Sequence, residues 1–389
     1  MQISPKARAI APSPTLSLTA KVKELRKKGM RIISFTAGEP DFDTPSPVKE
    51  AAKKALDEGF TKYTPTTGIE ELKEMIVKKL KEDNGLDYDK KEVIVSPGAK
   101  FVIFNALFAL LDEGDEVLLP SPYWVSYPEQ IRMAGGKPVI LETKEENGFK
   151  MRVEELERAK TNRTRVLILN SPSNPTGAVY EKDELSQIAK WCIENDVFVI
   201  SDEIYEKLVY DTEHISIATF PGMKERTLVV NGMSKTYSMT GWRIGYGAGP
   251  KELIEAMGRI QDHTTSNPTS FAQIGALKAL DLVEEVEEMV SAFKRRREIL
   301  LEEISKIPNV SCMPPKGAFY AFPNVSYYME KMGASSTDEL ASYLLEKVGV
   351  AVVPGEGFGA SGYVRLSFAV SEEDIKEGLA KIKDAFLSI

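Results

Sequence analysis

Cysteine and histidine are both scarce in this chain of 389 residues, which contains two of each. The two cysteines, Cys192 and Cys312, are too few for a disulfide framework or a cysteine-rich zinc site. The two histidines, His214 and His263, lack the spacing of metal ligands, so we expect no metal. Because chains with few cysteines are typical of a reducing compartment, we expect this protein in the cytoplasm.

Long hydrophobic runs and an excess of positive charge are also lacking. The longest nearly apolar segment, 101–111, is interrupted by Asn105 and falls short of the roughly 18 residues that a membrane-spanning helix needs. The segment 1–15 contains no apolar stretch of the kind found in secretory signals. Fifty Lys and Arg against 58 Asp and Glu give a net charge of −8, whereas a nucleic-acid-binding protein needs a basic face. We therefore expect neither a membrane nor a nucleic acid as partner.

The length of the chain predicts two or three domains. Along much of it, two sequence patterns alternate regularly. From about residue 48 to about residue 288, amphipathic helical patterns alternate with short runs that are rich in Val, Ile and Leu and mostly apolar on consecutive positions. Such runs are typical of strands that are covered on both faces of a parallel sheet. They are 93–96, 117–120, 166–170, 197–201, 227–231 and 243–249. This part of the chain is predicted to be an α/β domain with helices on both faces of a mostly parallel sheet.

The pattern changes after about residue 290. A long charged amphipathic helix is predicted over 293–307, and two-residue alternation follows in 318–322, 350–353 and 364–368. The helix and strand predicted within 18–36 have no obvious partner in the first sheet. We therefore expect both chain ends to build a smaller α+β domain. The predicted division is an N-terminal arm with part of the small domain over 1–45, the large domain over 46–288, and the remainder of the small domain over 289–389.

Polar or aromatic residues follow five of the predicted strands. The carboxyl ends of the strands are where ligands bind in sheets of this kind. The five segments are 96–100, 120–124, 170–177, 201–205 and 231–235. Each segment by itself is compatible with ordinary turn or capping chemistry. Their convergence on one crevice predicts a binding site instead.

The residue types in these segments favour one kind of ligand. A single carboxylate without histidine is a poor metal site, and no histidine is near enough in sequence to suggest a Ser-His-Asp triad. Lys235 can form a Schiff base, Asp202 can hold a protonated ring nitrogen, and Trp124 can stack on a ring. The helix start at Gly98 and the guanidinium of Arg243 can hold a phosphate. A planar, anionic, carbonyl-bearing cofactor meets all of these requirements, and pyridoxal phosphate is such a cofactor.

Three motifs carry a resemblance to a known family: 174–177 (NPTG), 202–205 (DEIY) and 234–246 (SKTYSMTGWRIGY). Together with 36–42 and 364–369 they extend nearly from end to end. The chain resembles the class I aminotransferases of pyridoxal-phosphate fold type I, especially the prokaryotic aspartate aminotransferase branch. The resemblance implies a large domain that binds pyridoxal 5′-phosphate and a smaller domain built by both chain ends.

The resemblance also implies which residues hold the cofactor. Lys235 would form a covalent aldimine with it and then move a proton, Asp202 would pair with the pyridinium nitrogen, and Trp124 would stack on the ring. Asn174 and Tyr205 would bind the phenolate oxygen. The phosphate would be bound by Gly98, Ala99, Lys100, Ser234, Arg243 and, from a second subunit, Tyr63. A homodimer with shared active sites is therefore implied.

The substrate contacts implied by the resemblance include two that are less specific. Arg365 would bind the α-carboxylate, with the Gly38 backbone, Asn174 and Trp124 beside it. Lys100 and Thr15 would recognise an acidic side chain, although a lysine at a helix start would equally serve a phosphate. Both interpretations of Lys100 stay open on the sequence.

The sequence departs from its relatives at two places. Gly232 stands where many of them have serine, so a phosphate contact is lost or supplied by Ser234. The segment 261–268 contains no arginine to bind a distal carboxylate from the partner subunit.

The activity implied by the resemblance is ping-pong transfer of an amino group from L-aspartate to 2-oxoglutarate, with prephenate as an additional substrate. The alternatives are an aminotransferase for aromatic amino acids or alanine, and a pyridoxal-phosphate-dependent C–S lyase. The partners would be small amino acids and 2-oxo acids. A non-catalytic binding module is disfavoured because the set of site residues is complete.

Overall fold

The computed structural model describes residues 1–12 and 14–389, apart from the side chain of Leu16. Its helices are α1 (Pro5–Ala9), α2 (Pro14–Lys27), α3 (Ser46–Asp57), α4 (Glu70–Asn84), α5 (Ala99–Leu110), α6 (Tyr127–Met133), α7 (Val153–Ala159), α8 (Lys182–Glu194), α9 (Lys251–Asp262), α10 (Ser270–Ala279), α11 (Glu284–Ser305), α12 (Ser326–Met332), α13 (Thr337–Tyr343) and α14 (Glu372–Ser388). Its strands are β1 (Ile33–Ser34), β2 (Val93–Ser96), β3 (Glu116–Ser121), β4 (Lys137–Glu142), β5 (Thr164–Asn170), β6 (Phe198–Asp202), β7 (Thr227–Gly232), β8 (Gly245–Ala248), β9 (Tyr320–Ala321), β10 (Val350–Ala351), β11 (Val353–Pro354) and β12 (Val364–Ser367).

A seven-stranded sheet lies at the centre, in the order β2-β8-β7-β6-β5-β3-β4. All neighbours from β7 to β4 run parallel. Strand β8 runs antiparallel to both β2 and β7. The predicted fold class, a mostly parallel sheet with helices, is therefore confirmed.

The apolar runs fill both faces of this sheet because successive side chains of a strand point in opposite directions. In β5, Val166 and Ile168 pack into a cluster with residues of α5, α6 and α9. Leu167 and Leu169 pack into a second cluster with residues of α7 and α8. This double covering explains why the strands read as continuous apolar runs rather than as alternating ones.

Two elements of the central region have no clear signal in the sequence. Strand β4 lies at the edge of the sheet and is only partly buried, so its residues form neither a buried apolar run nor a strict alternation. Helix α10 is apolar on most sides, and its Gly275 lies against Trp242, where a Cβ would come 2.7 Å from the indole ring. Such a helix gives a weak 3.6-residue periodicity.

Both chain ends contribute strands to two smaller sheets. Strand β1 pairs in parallel with β10, so that Ile33 lies opposite Val350. Strands β11, β12 and β9 form an antiparallel sheet. Residues of β1 and of helices α11 to α14 share one apolar cluster. The boundaries at residues 45/46 and 288/289 stay a prediction. Among the described residues, no helix combines the length and the apolar character that crossing a bilayer requires.

A buried ion pair connects α4 with the segment that follows the carboxyl end of β6. The Lys79 ammonium contacts the Glu206 carboxylate, and the two side chains are 9% and 5% exposed. Asn84 also donates a hydrogen bond to Glu206, at 2.8 Å. Burial by itself would raise the pKa of the Glu206 carboxyl, but Lys79, His214 and Asn84 hold that pKa at about 2. The pair thus fixes α4 to the segment that follows β6.

The substitution Lys79→Met is expected to lower the free energy of unfolding at pH 7 by about 3–5 kcal/mol, because it leaves a buried carboxylate without its cation. Urea denaturation measures this change. The matched control is Lys78→Met, a neighbouring exposed lysine of the same helix, which should stay within about 0.5 kcal/mol of the wild type.

The same pair makes the stability depend on pH. The pKa of Glu206 is depressed from 4.5 to about 2, so the stabilisation is present above pH 4.5 and is lost as the pH falls towards 2. The difference between wild type and Lys79→Met should therefore shrink between pH 7 and pH 3. A constant difference over that range would contradict the ion pair.

Candidate active site

A cavity of about 670 Å³ opens at the carboxyl ends of the central strands, next to β1, β9 and β12. Most of the site residues predicted from the sequence line it. They are Thr15, Gly38, Ala99, Lys100, Trp124, Asn174, Asp202, Tyr205, Ser234, Lys235, Arg243 and Arg365. Strands β5 and β6 place their last residues, Asn170 and Asp202, directly opposite each other. The parallel sheet therefore brings together segments that are far apart in sequence.

The buried acidic residue Asp202, the last residue of β6, lines the cavity and is 4% exposed. The hydroxyl of Tyr127 donates to its Oδ2 at 2.6 Å, and the backbone N–H of Ile204 donates to its Oδ1 at 3.2 Å. Both donors are neutral. Burial raises the pKa of Asp202 to about 6, although the hydrogen bond from Tyr127 opposes that shift. The position therefore favours a positively charged group facing the carboxylate.

The amine of Lys235, which follows the end of β7, also lines the cavity. Its Nζ donates to the Gly38 carbonyl at 2.5 Å. Burial is the largest cause of the lowered pKa of Lys235, which is about 8; Arg365 and Arg243 also lower it, while Glu39 and Asp202 oppose the shift. An amine with this pKa is partly unprotonated near neutral pH, so it can act as a nucleophile or as a base.

An anion-binding corner lies at the start of α5. Gly98 precedes the helix with a φ of +89°, and a Cβ at that position would collide with the guanidinium of Arg243. Arg243 also has a left-handed backbone, with φ +56°, and its Nη1 donates to the Thr240 carbonyl at 2.8 Å. The backbone N–H groups of a helix start together with an arginine form a site for a phosphate. Ser234, 8% exposed, lines the same cavity.

The glycine at position 232 has a packing reason. A Cβ there would lie 2.8 Å from the Gly245 Cα and 2.9 Å from the Ile244 carbonyl oxygen. A serine would therefore force β7 and β8 apart in this chain.

A buried guanidinium group, that of Arg365, enters the cavity from β12, and this residue is 2% exposed. Its Nη1 donates to Asn174 Oδ1 at 3.0 Å, and its Nη2 donates to the Thr36 carbonyl at 3.1 Å. Burial lowers the pKa of this guanidinium. Since both acceptors are neutral, the arrangement is suited to binding a carboxylate through a bidentate contact.

Lys100 and Trp124 lie together on another side of the cavity. The Nζ of Lys100 is 4.8 Å from the centroid of the indole ring. Burial and the neighbouring Arg243 lower the pKa of Lys100. Trp124 also meets the ring of Tyr127 edge to face, at 5.2 Å between centroids. Thr15, at the start of α2, lines the same cavity.

Two predicted site residues, Gly98 and Tyr63, are not among those that line the cavity, although Gly98 lies against the guanidinium of Arg243, which does. Tyr63 lies elsewhere. Its side chain is 90% exposed on the surface. The family resemblance implies that Tyr63 serves the active site of a second subunit, and that role stays a prediction.

Among the cavity residues that sequence reasoning missed are Tyr127, Tyr320 and Glu39, each of which contacts a predicted site residue or lies next to one. Tyr127 follows closely on the strand-end segment that contains Trp124, so a longer reading of that segment would have found it. Tyr320 comes from a short alternating run that looked like ordinary core, and Glu39 from the loop beside Gly38. The Oε2 of Glu39 accepts from the Thr240 hydroxyl at 2.7 Å.

Known proteins resemble this chain over nearly its whole length. A family model described as aminotransferase class I and II matches residues 31–382. The chain is 52% identical over 385 residues to a protein of Aquifex aeolicus named probable aspartate/prephenate aminotransferase, covering 98% of this chain and 97% of that one. It is 48% identical to an aspartate aminotransferase of Geobacillus stearothermophilus, with 98% of both chains covered. Among solved structures it is similar to the aspartate aminotransferase from Thermus thermophilus with maleate, at 45% identity, a TM-score of 0.94 and 99% coverage of both chains.

Proposed function

This chain belongs to the class I and II aminotransferases, and we propose that it transfers the amino group of L-aspartate to 2-oxoglutarate with pyridoxal 5′-phosphate as cofactor. The observation that carries the proposal is the placement of three groups in one cavity: the Lys235 amine, the buried Asp202 carboxylate and the buried Arg365 guanidinium. The names of the relatives from Aquifex and Geobacillus favour the same substrate.

The residues of the cavity fit this cofactor. The carboxylate of Asp202 receives hydrogen bonds from two neutral donors, and burial raises its pKa, so a cationic ring N–H is a suitable partner. The start of α5 with Arg243 suits a phosphate group. Lys235 supplies an amine that can bond to an aldehyde. These three features match the ring nitrogen, the phosphate and the aldehyde of pyridoxal phosphate.

The chain's own residues divide the reaction between them. When bound, pyridoxal phosphate acts as an electron sink for the bond that breaks at the substrate Cα. Arg365 binds the α-carboxylate and so orients the Cα–H bond. Lys235, whose pKa is lowered to about 8, would remove the proton from the Cα of the amino-acid donor in the first half-reaction. In the second half-reaction it would return a proton to the Cα that comes from the 2-oxo acid. Asp202 would hold the proton on the ring nitrogen, and Tyr205 and Asn174 would bind the phenolate oxygen.

The experiment that tests the proposal has two stages. Protein loaded with pyridoxal phosphate should be reduced with borohydride and digested, and the cofactor should be found on Lys235. A label on another lysine, or no label, would contradict the proposal. In single-turnover reactions aspartate should then give oxaloacetate faster than phenylalanine or alanine gives its 2-oxo acid. Release of ammonia with pyruvate would instead identify a lyase.

Recognition of the acidic side chain is proposed for Lys100 and Thr15. The ammonium of Lys100 lies on the cavity wall, 4.8 Å from the ring centroid of Trp124, and its side chain is exposed. A carboxylate that enters the cavity could therefore pair with it. Prephenate, which also carries a second carboxylate, is proposed as an additional acceptor.

The substitution Lys100→Ala is expected to raise KM for aspartate by about ten- to a hundred-fold and to change KM for alanine by less than about threefold, since a hydrogen bond to a charged group contributes about 1.5–3 kcal/mol. Steady-state kinetics with both substrates measures the difference. Lys23→Ala serves as control, because Lys23 lines the same cavity from α2. Equal losses on aspartate and alanine would place Lys100 on the phosphate instead.

A homodimer with shared active sites is part of the proposal. The large exposure of Tyr63 is consistent with a residue that serves a neighbouring subunit. Analytical ultracentrifugation should give twice the chain mass of 43.2 kDa. In addition, Tyr63→Phe should weaken cofactor binding. A monomer with full activity would contradict the dimer. The cytoplasmic location stays a prediction.

A further inference from the structure

Tyr320 lies between Tyr205 and Arg365 in the candidate active site. It is the first residue of β9 and is fully buried. Its hydroxyl is 3.0 Å from the hydroxyl of Tyr205, and the Arg365 Cζ lies 4.4 Å from its ring centroid. One side chain thus contacts both the proposed ligand of the cofactor's phenolate oxygen and the proposed ligand of the substrate's α-carboxylate.

The direction of the hydrogen bond between the two hydroxyls is defined once Tyr205 donates its proton to the cofactor's phenolate oxygen. A tyrosine hydroxyl has one proton to donate. If Tyr205 donates that proton to the phenolate oxygen, its own oxygen accepts from Tyr320. Hydrogen bonds in such a chain polarise one another, so the donation from Tyr320 makes Tyr205 a stronger donor.

The ring of Tyr320 has a separate task. Arg365 is buried, and its Nε has no hydrogen-bond partner among the described residues. The acceptors of its two other donor groups, Asn174 Oδ1 and the Thr36 carbonyl, are neutral. The rings of Tyr320 and Phe358, at 4.4 and 5.1 Å from the Cζ, therefore supply much of the favourable environment of this cation.

We propose that Tyr320 is a positioning residue for both subsites: its hydroxyl strengthens the donation of Tyr205 towards the cofactor, and its ring holds Arg365 in place for the α-carboxylate. This inference rests on the proposed function and adds to it a residue that the sequence did not indicate. Tyr320 itself need not touch the cofactor or the substrate.

Two substitutions separate the two tasks. Tyr320→Phe removes the hydroxyl and keeps the ring, whereas Tyr320→Leu removes both. A suitable control is Tyr328→Phe, since Tyr328 is also buried and donates to a backbone carbonyl, that of Pro308, outside the cavity. The measurements are the pH midpoint of the visible absorption change of the cofactor-loaded protein and the Kd of maleate, an unreactive dicarboxylate.

We expect Tyr320→Phe to raise the pH midpoint by about 0.5–1 pH unit, as the loss of one hydrogen bond predicts. Its Kd for maleate should stay within about twofold of the wild type. Tyr320→Leu should raise that Kd by about three- to thirtyfold, because the contact between the cation and the ring is lost. Tyr328→Phe should change neither quantity.

The outcomes distinguish the inference from the function on which it rests. An unchanged pH midpoint in Tyr320→Phe would overturn the inference, and so would an equal Kd for maleate in the Phe and Leu variants. In either case, a wild-type protein that binds the cofactor and transfers the amino group still supports the proposed function. A wild-type protein that acquires no visible band with pyridoxal phosphate would overturn both. Should Tyr320→Leu fail to fold, the midpoint of Tyr320→Phe still decides.

Discussion

Replacement of Lys235 by alanine is expected to lower kcat/KM for aspartate by about ten-thousand-fold, the upper range for the loss of a positioned acid–base group. The reason lies in the surroundings of its amine. Burial and two neighbouring guanidinium groups lower the pKa of Lys235 to about 8. A base with that pKa is available near neutral pH. Of the two other lysines that line the cavity among the described residues, Lys100 lies against Trp124 and Lys23 belongs to α2.

The measurement is the rate of a single half-reaction with aspartate, because it isolates the proton transfer from later steps. Lys251→Ala, at the exposed start of α9, is the control and should behave as the wild type. Added methylamine should restore part of the rate of Lys235→Ala by replacing the missing amine. Retention of activity within tenfold of the wild type would show that another group moves the proton.

The substitution Asp202→Asn is expected to lower kcat by about a thousandfold, the size of effect found when a preorganised electrostatic contact is removed. Asparagine keeps the shape of the side chain and can still accept the hydrogen bond from Tyr127. It cannot supply the negative charge that keeps the ring nitrogen protonated. The loss should therefore fall on kcat more than on KM, and cofactor binding should weaken as well.

The pH dependence offers a check on the same residue. In the protein without cofactor, burial holds the pKa of Asp202 at about 6, above its ordinary value of 3.8. A raised carboxyl pKa means that the folded protein binds this proton more tightly than the unfolded chain, so stability falls as the pH rises from about 4 to about 6. Asp202→Asn should remove this dependence.

The control for Asp202→Asn is Asp211→Asn, a surface carboxylate paired with Lys294. Turnover of Asp202→Asn near the wild-type rate would rule out the proposed role of Asp202, whatever its effect on stability.

Much of the fold was predictable because its signals are local. Strand β2 has the predicted bounds, and β5, β6 and β7 lie within two residues of the predicted runs. Helix α11 begins earlier than predicted, at Glu284, because its first turn is acidic and exposes little apolar periodicity. The family resemblance read from the motifs is confirmed by the match over residues 31–382.

The candidate site was predictable to the extent that its residues follow strands. Asp202 is found at the end of its strand, where the rule for parallel sheets places ligand-binding groups. Tyr127, which donates to Asp202, is 75 residues away in sequence, and no local pattern reports that contact. The roles assigned to individual residues stay predictions until the variants are measured.

The sequence by itself determined the class of the fold, the strand ends that carry chemistry and the family, because periodicity and motifs are properties of neighbouring residues. The tertiary structure alone decided which side chains meet. It placed Tyr320 between Tyr205 and Arg365 and paired β1 with β10. It also set the burial that moves the pKa values of Lys235 and Asp202 towards neutrality. Contacts and burial depend on how distant segments pack, and that information is spread over the whole chain.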